Sequence, residues 1–198
     1  VSEPAYGQIN ENPQLLDINI SQSGNGGENG IADWNHCNAI SYNPILDQIV
    51  LSSRHMDEFY VIDHSTTTEE ASSHFGGNYG NGGDFLYRWG NPINYNNGTN
   101  FDRRLFSNHG VNWVPENYPG GGNILVFSNY HWMKEGTMWG GEGPTVPQEY
   151  WYSAILEIDL PLYDDIYYYN ELPFQPDSAL FVYNTLFSRI QSGAYRLE

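Results

Sequence analysis

The chain of 198 residues has little positive charge, with six arginines and one lysine, Lys134, against 24 acidic residues. The formal charge of −17 argues against binding nucleic acid or an anionic membrane surface, because both attract Lys and Arg. No apolar run is long enough for a membrane span, and the chain does not open with a signal-peptide pattern. We expect a soluble or already processed protein, and the acidity with scarce lysine favours an extracellular or periplasmic location.

Cysteine and several common motifs are also scarce. Cys37 is the only cysteine, so no internal disulfide can form. The chain has no paired Cys, no His-x-x-x-His, no Gly-x-Ser-x-Gly and no Gly-rich loop before a helix. These absences argue against zinc, serine-hydrolase and nucleotide sites, so we assign no metal ligands and expect no required cofactor. The Asp, Asn and Gly residues of Gln22 to Asn29 and Asn78 to Asp84 leave a structural calcium site open, although neither stretch fits an EF-hand loop.

What the chain does have is a series of short apolar runs separated by turn residues. With 16 Tyr, 6 Trp and 21 Gly, its composition is typical of strands joined by turns. The first set of predicted strands is Cys37 to Tyr42, Gln48 to Ser53, Phe59 to Asp63 and Phe85 to Trp89. The second set is Gly110 to Val114, Asn123 to Ser128, Ser153 to Asp159 and Ala179 to Tyr183. A third set opens at Ser192.

The repeated order predicts an all-β fold, a β-propeller of four-stranded antiparallel blades. We place a lead-in segment at residues 1–30, the first blade at 31–90, the second at 105–185 and the start of a third at 191–198. Long loops, Ser72 to Gly83 and Tyr130 to Tyr150, account for the wide spacing. About two blades cannot close a ring, so we expect a fragment that other chains or further blades complete. The alternative fold is a β-sandwich of about nine strands.

Three residues in this pattern can hold or attack an anion: His36, Arg54 and His109. In the alignment of the sets, His36 corresponds to His109 and Ser192, and Arg54 directly follows the second predicted strand. Arg54 has a structural alternative, an ion pair with Asp57 or Glu58. The histidines without supporting spacing are interpreted as loop residues: His55, His64, His74 and His131. The tryptophans near the predicted strands are candidates for stacking on an aromatic ligand: Trp34, Trp89 and Trp113.

The runs from Asp33 to Pro44 and from Asp47 to Arg54 resemble the core signature of the bacterial arylsulfate sulfotransferases. The similarity extends through Gly83 to Gly90 and Leu105 to His109, and it ends with Gln191 to Ala194. It therefore covers most of residues 30–198. The resemblance implies a six-bladed propeller that moves a sulfuryl group from a phenolic sulfate ester to an acceptor phenol, without the nucleotide sulfate donor.

Carried over by position, the resemblance implies that His109 takes the sulfuryl group covalently, while His36 and Arg54 hold the sulfate oxygens. The step of eighteen residues from His36 to Arg54 agrees with the family pattern. Two departures stand out. A further histidine that the family uses has no counterpart before His36, and Asn108 replaces the Gln that often precedes the nucleophile.

Several alternatives remain open from the sequence. A sulfatase would use water in place of the acceptor phenol. A non-catalytic extracellular structural or adhesive module would keep the propeller and lack the chemistry. Asn97-Gly98-Thr99 fits the N-glycosylation pattern and is predicted to lie in a loop.

Overall fold

The computed structural model describes residues 8–18, 20, 33–99, 102–130, 152–164, 166–168, 176 and 179–198. Within these ranges the chain is mostly strand and turn, with a four-residue helix, α1 (Thr68–Ala71), and a short 3-10 helix (Pro92–Tyr95). Among the described residues, no helix has the length and apolar character needed to cross a membrane. The calcium candidate at Gln22 to Asn29 and the loop residues 131–150, with His131, lie outside them.

The first sheet is an antiparallel meander in which each strand is hydrogen-bonded to the next in chain order. Its strands are β1 (Cys37–Asn43), β2 (Gln48–Ser53), β3 (Glu58–Asp63) and β4 (Phe85–Trp89). β2 and β3 are rich in β-branched and aromatic side chains, which suit a pleated and buried surface. The two tight connections that flank β2 end in left-handed aspartates, Asp47 at φ +52° and Asp57 at φ +56°. Asp adopts this backbone conformation more readily than most residues.

The second sheet repeats this meander with β5 (Asn108–Trp113), β6 (Ile124–Ser128), β7 (Ser153–Ile158) and β10 (Phe181–Leu186). A short hairpin that the sequence did not predict, β8 (Leu162–Tyr163) and β9 (Ile166–Tyr167), lies between β7 and β10 in the chain. Each sheet is complete before the next begins, which favours propeller blades over a β-sandwich. The predicted all-β, blade-like fold is confirmed, and the two sheets do not close a ring.

The two sheets meet where β1 and β2 pack against β5. One hydrophobic cluster runs through both sheets and includes the fully buried side chains of Val50, Phe59 and Ile124. Polar contacts cross the same boundary, since Asn38 Nδ2 donates to the carbonyl oxygen of Asn108 at 2.8 Å. The first strands of the two sheets are therefore neighbours, as the inner strands of adjacent blades are.

Residues 191–198 run beside β5 without forming a strand. Asn112 Nδ2 donates to the carbonyl oxygen of Ala194 at 2.8 Å. Gly110 lies so close to Gly193 that a Cβ on Gly110 would stand 2.6 Å from the Cα of Gly193. This segment thus lies along β5, while its assignment to a third blade and the other domain boundaries remain predictions.

Candidate active site

A cleft of about 660 Å³ opens between β1, β5 and residues 191–195. His36, immediately before β1, and His109, the second residue of β5, both line it. Their ring centroids are 6.5 Å apart and their planes lie at 79°. Two of the three residues singled out in the sequence therefore share one cleft.

The two histidines do not occupy equivalent places in the repeat, and the sequence alignment is wrong by two residues. β1 begins one residue after His36, whereas β5 begins one residue before His109. The residue that precedes β5 is Ser107, and it shares with His36 a left-handed φ of +51°. Ser107 is thus the backbone counterpart of His36, while His109 lies within its strand. The alignment matched His36 with His109 because both are histidines. The positions at which β1 and β5 begin are evident only from the backbone.

The tautomer of His109 is determined by its two hydrogen-bond partners. Nδ1 lies 3.0 Å from the carbonyl oxygen of Ser107 and 2.7 Å from Oδ1 of Asn129. A carbonyl oxygen only accepts, so Nδ1 carries the hydrogen. The Asn129 amide is oriented in turn, because its Nδ2 donates to the carbonyl oxygen of Ser188 at 3.0 Å. In the neutral ring the lone pair is therefore on Nε2.

Burial adds to this arrangement, since His109 lines the cleft and is otherwise buried, with 7% of the residue exposed. Desolvation lowers the pKa of His109 below its ordinary value, although the hydrogen bonds to Asn129 and Ser107 oppose the change. The nearby positive charge of Arg54 and the neighbouring His36 lower it further. A lowered pKa keeps the imidazole neutral at pH 7, and a neutral imidazole is the nucleophilic form.

His36 belongs to a cluster that the sequence did not predict. Its Nδ1 donates to Oδ2 of Asp33 in a short contact, and this bond is the main reason that the pKa of Asp33 is lowered. The ring of His55 lies against that of His36, with centroids 4.8 Å apart. His55 Nδ1 in turn donates to the carbonyl oxygen of Asp33 at 2.9 Å. His55 is a loop residue, as expected, since it lies in the β2–β3 connection, but the sequence did not predict its contact with His36. Its position directly after Arg54 was the available signal.

Arg54 lies in the β2–β3 connection, and its backbone N–H donates to the carbonyl oxygen of His36 at 3.1 Å. Its predicted structural partners are taken by other cations, since Asp57 pairs with Arg103 and Glu58 with Arg88. Within the described part of the chain, the half-buried Arg54 guanidinium makes no hydrogen bond or ion pair.

The charge of Arg54 nevertheless reaches the other members of the group. It helps to lower the pKa values of Asp33 and His109. Arg54 does not line the cleft itself. The structure therefore brings all three predicted residues into one neighbourhood, with two of them on the cleft wall.

Asp57 links the first sheet to the strand that carries His109. Its Oδ1 accepts a short hydrogen bond from the backbone N–H of Ser107, and its Oδ2 pairs with Arg103. Burial raises the pKa of Asp57 to about 6, even though Arg103 and the Ser107 N–H favour the charged form. Because the Ser107 carbonyl contacts His109, this carboxylate helps to hold the segment that orients the histidine.

Asn108, the residue that departs from the family pattern, is a second link between the sheets. Its Nδ2 donates to Oγ of Ser52 at 2.7 Å and to the carbonyl oxygen of Glu58 at 2.9 Å. The side chain is fully buried, and its Oδ1 has no hydrogen-bond partner among the described residues. Asn108 therefore holds the start of β5 against the first sheet and does not line the cleft.

The aromatic candidates divide by burial. Trp89 and Trp113 belong to the hydrophobic cluster and neither lines the cleft, so they do not stack on a ligand there. Trp34 is half-buried in a shallow depression next to His36. Tyr195, which sequence reasoning did not select, lines the cleft and is 75% exposed. Among the described residues that line the cleft, Tyr195 is therefore the candidate for contact with the aromatic ring of a ligand.

The remaining sequence candidates lie away from the cleft. In the Asn78 to Asp84 stretch, Asp84 Oδ1 accepts from Nδ1 of His74 at 2.7 Å. Asn97 follows the 3-10 helix in a loop, as expected, and the hydroxyl of Thr99 in the same triplet donates to Asp102. Calcium binding and glycosylation at these places remain predictions.

Comparison with known proteins identifies one family. Residues 14–138 match the family described as Arylsulfotransferase (ASST), and the chain belongs to that family. The matched range contains the first sheet, the start of the second and the cluster of His36, Arg54 and His109. No curated protein matches the chain. Family membership supports chemistry of the arylsulfotransferase type in general.

Proposed function

We propose that the protein transfers a sulfuryl group from a phenolic sulfate ester to an acceptor phenol through a sulfohistidine at His109. The observation that carries the proposal is the tautomer of His109, whose Nδ1 hydrogen faces Ser107 and Asn129. Such a ring presents an unprotonated Nε2, the atom that a nucleophilic histidine needs. The neighbouring cleft of about 660 Å³ is large enough for a small aromatic ester.

In the first half-reaction, Nε2 of His109 attacks sulfur while the bond from sulfur to the aryl oxygen breaks. The phenolate leaves with the electron pair of that bond. The ring then carries SO3 on Nε2 and its hydrogen on Nδ1, and it gains positive charge. Hydrogen bonds from Nδ1 to Ser107 and Asn129 become charge-assisted and stabilise this intermediate.

In the second half-reaction, an acceptor phenol attacks the same sulfur and loses its proton to the solution. The bond between Nε2 and sulfur breaks, and neutral His109 is regenerated. Donor and acceptor thus use the site in turn, which is a ping-pong cycle. Water in place of the phenol would give a sulfatase, and the two are separated by measuring aryl sulfate formed per phenol released.

Charge on the transferring group is the main electrostatic problem. By analogy with phosphoryl transfer, the transition state is loose and its charge is spread over three oxygens. In our proposal, Arg54 reaches from beside the cleft and offers a planar fork of donors to these oxygens. His36, whose Nδ1 hydrogen is bonded to Asp33, offers its Nε2–H in the doubly protonated form of the ring. Among the described residues, no carboxylate forms an ion pair with Arg54, since Asp57 pairs with Arg103 and Glu58 with Arg88. This supports the binding of sulfate oxygens by Arg54 over the non-catalytic alternative.

The proposal needs no metal or cofactor in the transfer itself, because His109 supplies the nucleophile and Arg54 with His36 the positive charge. The substrates are a phenolic sulfate donor and a phenol acceptor. We propose an extracellular or periplasmic location, which the acidity and scarce lysine of the chain favour.

The test is intact-protein mass spectrometry of the full chain after brief exposure to 4-nitrophenyl sulfate at neutral to alkaline pH. We expect a gain of one SO3 group that maps to His109 and is discharged by added phenol. His109→Asn is expected to abolish the adduct without unfolding the protein. His64→Asn is the matched control. His64 lies away from the cleft, and its Nδ1 also donates to an oxygen, Oδ1 of Asp47, at 2.7 Å. An adduct that survives in His109→Asn, or none in the folded wild type, would overturn the proposal.

A further inference from the structure

We propose that Asp33, His36 and His55 bind one divalent transition-metal ion of the zinc class, at the edge of the candidate active site. One ligand atom from each residue lies within 4.8 Å of the others. Among the described residues, this is the only group of three His, Cys, Asp or Glu side chains that meets so closely. Two imidazoles and one carboxylate are a ligand set suited to Zn²⁺, Ni²⁺ or Co²⁺.

The backbone holds the three residues together in advance of any ion. Asp33 and His36 lie three residues apart before β1, while His55 comes from the β2–β3 connection. Two backbone hydrogen bonds join that connection to the segment of Asp33. Arg54 N–H donates to the His36 carbonyl oxygen at 3.1 Å, and His55 N–H donates to the Asn35 carbonyl oxygen at 3.4 Å. An ion would therefore meet ligands that are already ordered, which lowers the entropic cost of binding.

The hydrogen bonds of His55 favour ligation further. Its Nδ1 donates to the carbonyl oxygen of Asp33 at 2.9 Å, so the lone pair of the neutral ring is on Nε2. Metal-binding histidines commonly donate their other ring N–H to a carbonyl or carboxylate in this way. The ring of His36, 4.8 Å from that of His55, is bonded to the Asp33 carboxylate. An ion would replace the hydrogen that His36 and Asp33 share, and binding would release that proton to the solution.

Two electrostatic contributions act in opposite directions. The charge of −17 on the chain and the exposed Asp33 carboxylate attract a cation. Arg54 repels it, since its charge reaches Asp33. We therefore expect moderate affinity, in which the loss of any single ligand is easily measured.

Metal binding also has a consequence for transfer, and this part rests on the proposed function. A metal ion bound to both His36 Nδ1 and Asp33 Oδ2 would have to separate these two atoms, which are in a short hydrogen-bond contact, so the His36 ring would turn away from its position toward a sulfate oxygen. A bound ion would therefore inhibit transfer by competing for His36. Binding itself is measured without any substrate, so its failure leaves the role of His109 intact.

The experiment is calorimetric titration of ZnCl2 into the full metal-free chain, repeated with Co²⁺ by absorbance. We expect one ion per chain and a loss of affinity of about ten-fold or more in both His55→Phe and Asp33→Asn. His55→Phe keeps a ring against His36 and so separates ligation from packing. His74→Phe is the matched control, because His74 pairs with Asp84 in another exposed loop and should bind the ion as the wild type does.

Cys37, an exposed thiol next to His36, is the competing ligand. Cys37→Ser is expected to leave zinc affinity unchanged, and the Co²⁺ spectrum should lack a thiolate charge-transfer band. Wild-type affinity in folded His55→Phe, or loss of binding in Cys37→Ser, would overturn the proposed site. Absence of saturable binding to the wild type would overturn it as well. Where zinc inhibits transfer, His55→Phe should relieve that inhibition relative to its own metal-free rate.

Discussion

Asn129, directly after β6, has its Oδ1 2.7 Å from Nδ1 of His109, which lies near the start of β5. The amide has no freedom to turn over without losing the bond from its Nδ2 to the Ser188 carbonyl oxygen. The buried Asn129, together with the Ser107 carbonyl oxygen, thus specifies which nitrogen of His109 carries hydrogen and which carries the lone pair. We interpret Asn129 as a positioning residue for the proposed nucleophile.

Asn129→Leu should therefore lower kcat/KM by about ten-fold, since one hydrogen bond to the developing imidazolium is worth about 1 to 2 kcal/mol. The substitution should also move the pH profile. The Asn129 hydrogen bond raises the pKa of His109, so its loss lowers that pKa further and shifts the acid limb of kcat/KM to lower pH. Activity of the full chain with 4-nitrophenyl sulfate over a pH series measures both effects.

Asn123→Leu is the control for that substitution. Asn123 is also buried, at the other end of β6, and its Nδ2 donates to Oε1 of Glu157 at 2.8 Å. The control is expected to reduce stability while its acid limb stays at the wild-type pH. An unmoved acid limb in Asn129→Leu would show that Asn129 has only a structural role.

The sequence predicts the strands well because their signals are local. β2 and β6 follow from a run of apolar residues bounded by turn residues, and their observed limits differ from the predicted ones by at most one residue. The hairpin of β8 and β9 was missed because two-residue strands have too few residues to show a period. β10 runs to Leu186, three residues beyond its predicted end.

The site is predicted only in part, for a physical reason. His36 and Arg54 come together through neighbouring strand ends, which a meander makes predictable from chain order. Asn129 and His55 meet their partners through loop contacts 20 and 22 residues apart in sequence, with no periodic pattern to indicate them. Such contacts depend on the paths of two loops, which backbone geometry determines and composition does not.

Asp57 provides a prediction on stability and pH. Its folded-state pKa of about 6 lies above the ordinary 3.8, so the folded protein binds this proton more tightly than the unfolded chain does. The stability that this group contributes is fully present below pH 3.8 and is lost as the pH rises through about 6. Relative to Asp57→Asn, the wild type should lose on the order of 3 kcal/mol of unfolding free energy across that window.

Urea unfolding of both proteins at several pH values between 3.5 and 7, roughly the window set by these pKa values, measures that difference. Asp57→Asn is close to isosteric and keeps an acceptor for the Ser107 N–H, so it changes mainly the charge. Asp102→Asn, at an exposed carboxylate, is the control. Its difference in unfolding free energy from the wild type should not change comparably with pH across the window. A constant difference between the wild type and Asp57→Asn at all pH values would contradict the prediction.

The buried ion pair of the first sheet, Arg88 with Glu58, allows a prediction that concerns stability and not activity. Arg88 and Glu58 are both fully buried, and Arg88 Nε donates to Oε1 of Glu58 at 2.9 Å. Arg88→Met should cost about 3 to 5 kcal/mol, because it leaves the Glu58 charge buried without its partner. The double variant Arg88→Met/Glu58→Leu should recover much of that loss. Urea unfolding at pH 7 tests both, and a double variant no more stable than the single one would contradict this account.

Arg54 gives the most direct test of how the sulfuryl oxygens are held. Arg54→Lys keeps the positive charge but loses the planar fork of donors, so we expect transfer to slow by about ten-fold or more. Because the guanidinium has no ion-pair partner among the described residues, the free energy of unfolding should change little. Arg189→Lys, at an exposed arginine beyond β10, is the matched control and should keep wild-type activity. Steady-state kinetics and urea unfolding of the same preparations separate the two effects. Equal transfer rates in Arg54→Lys and the wild type would assign Arg54 a structural role instead.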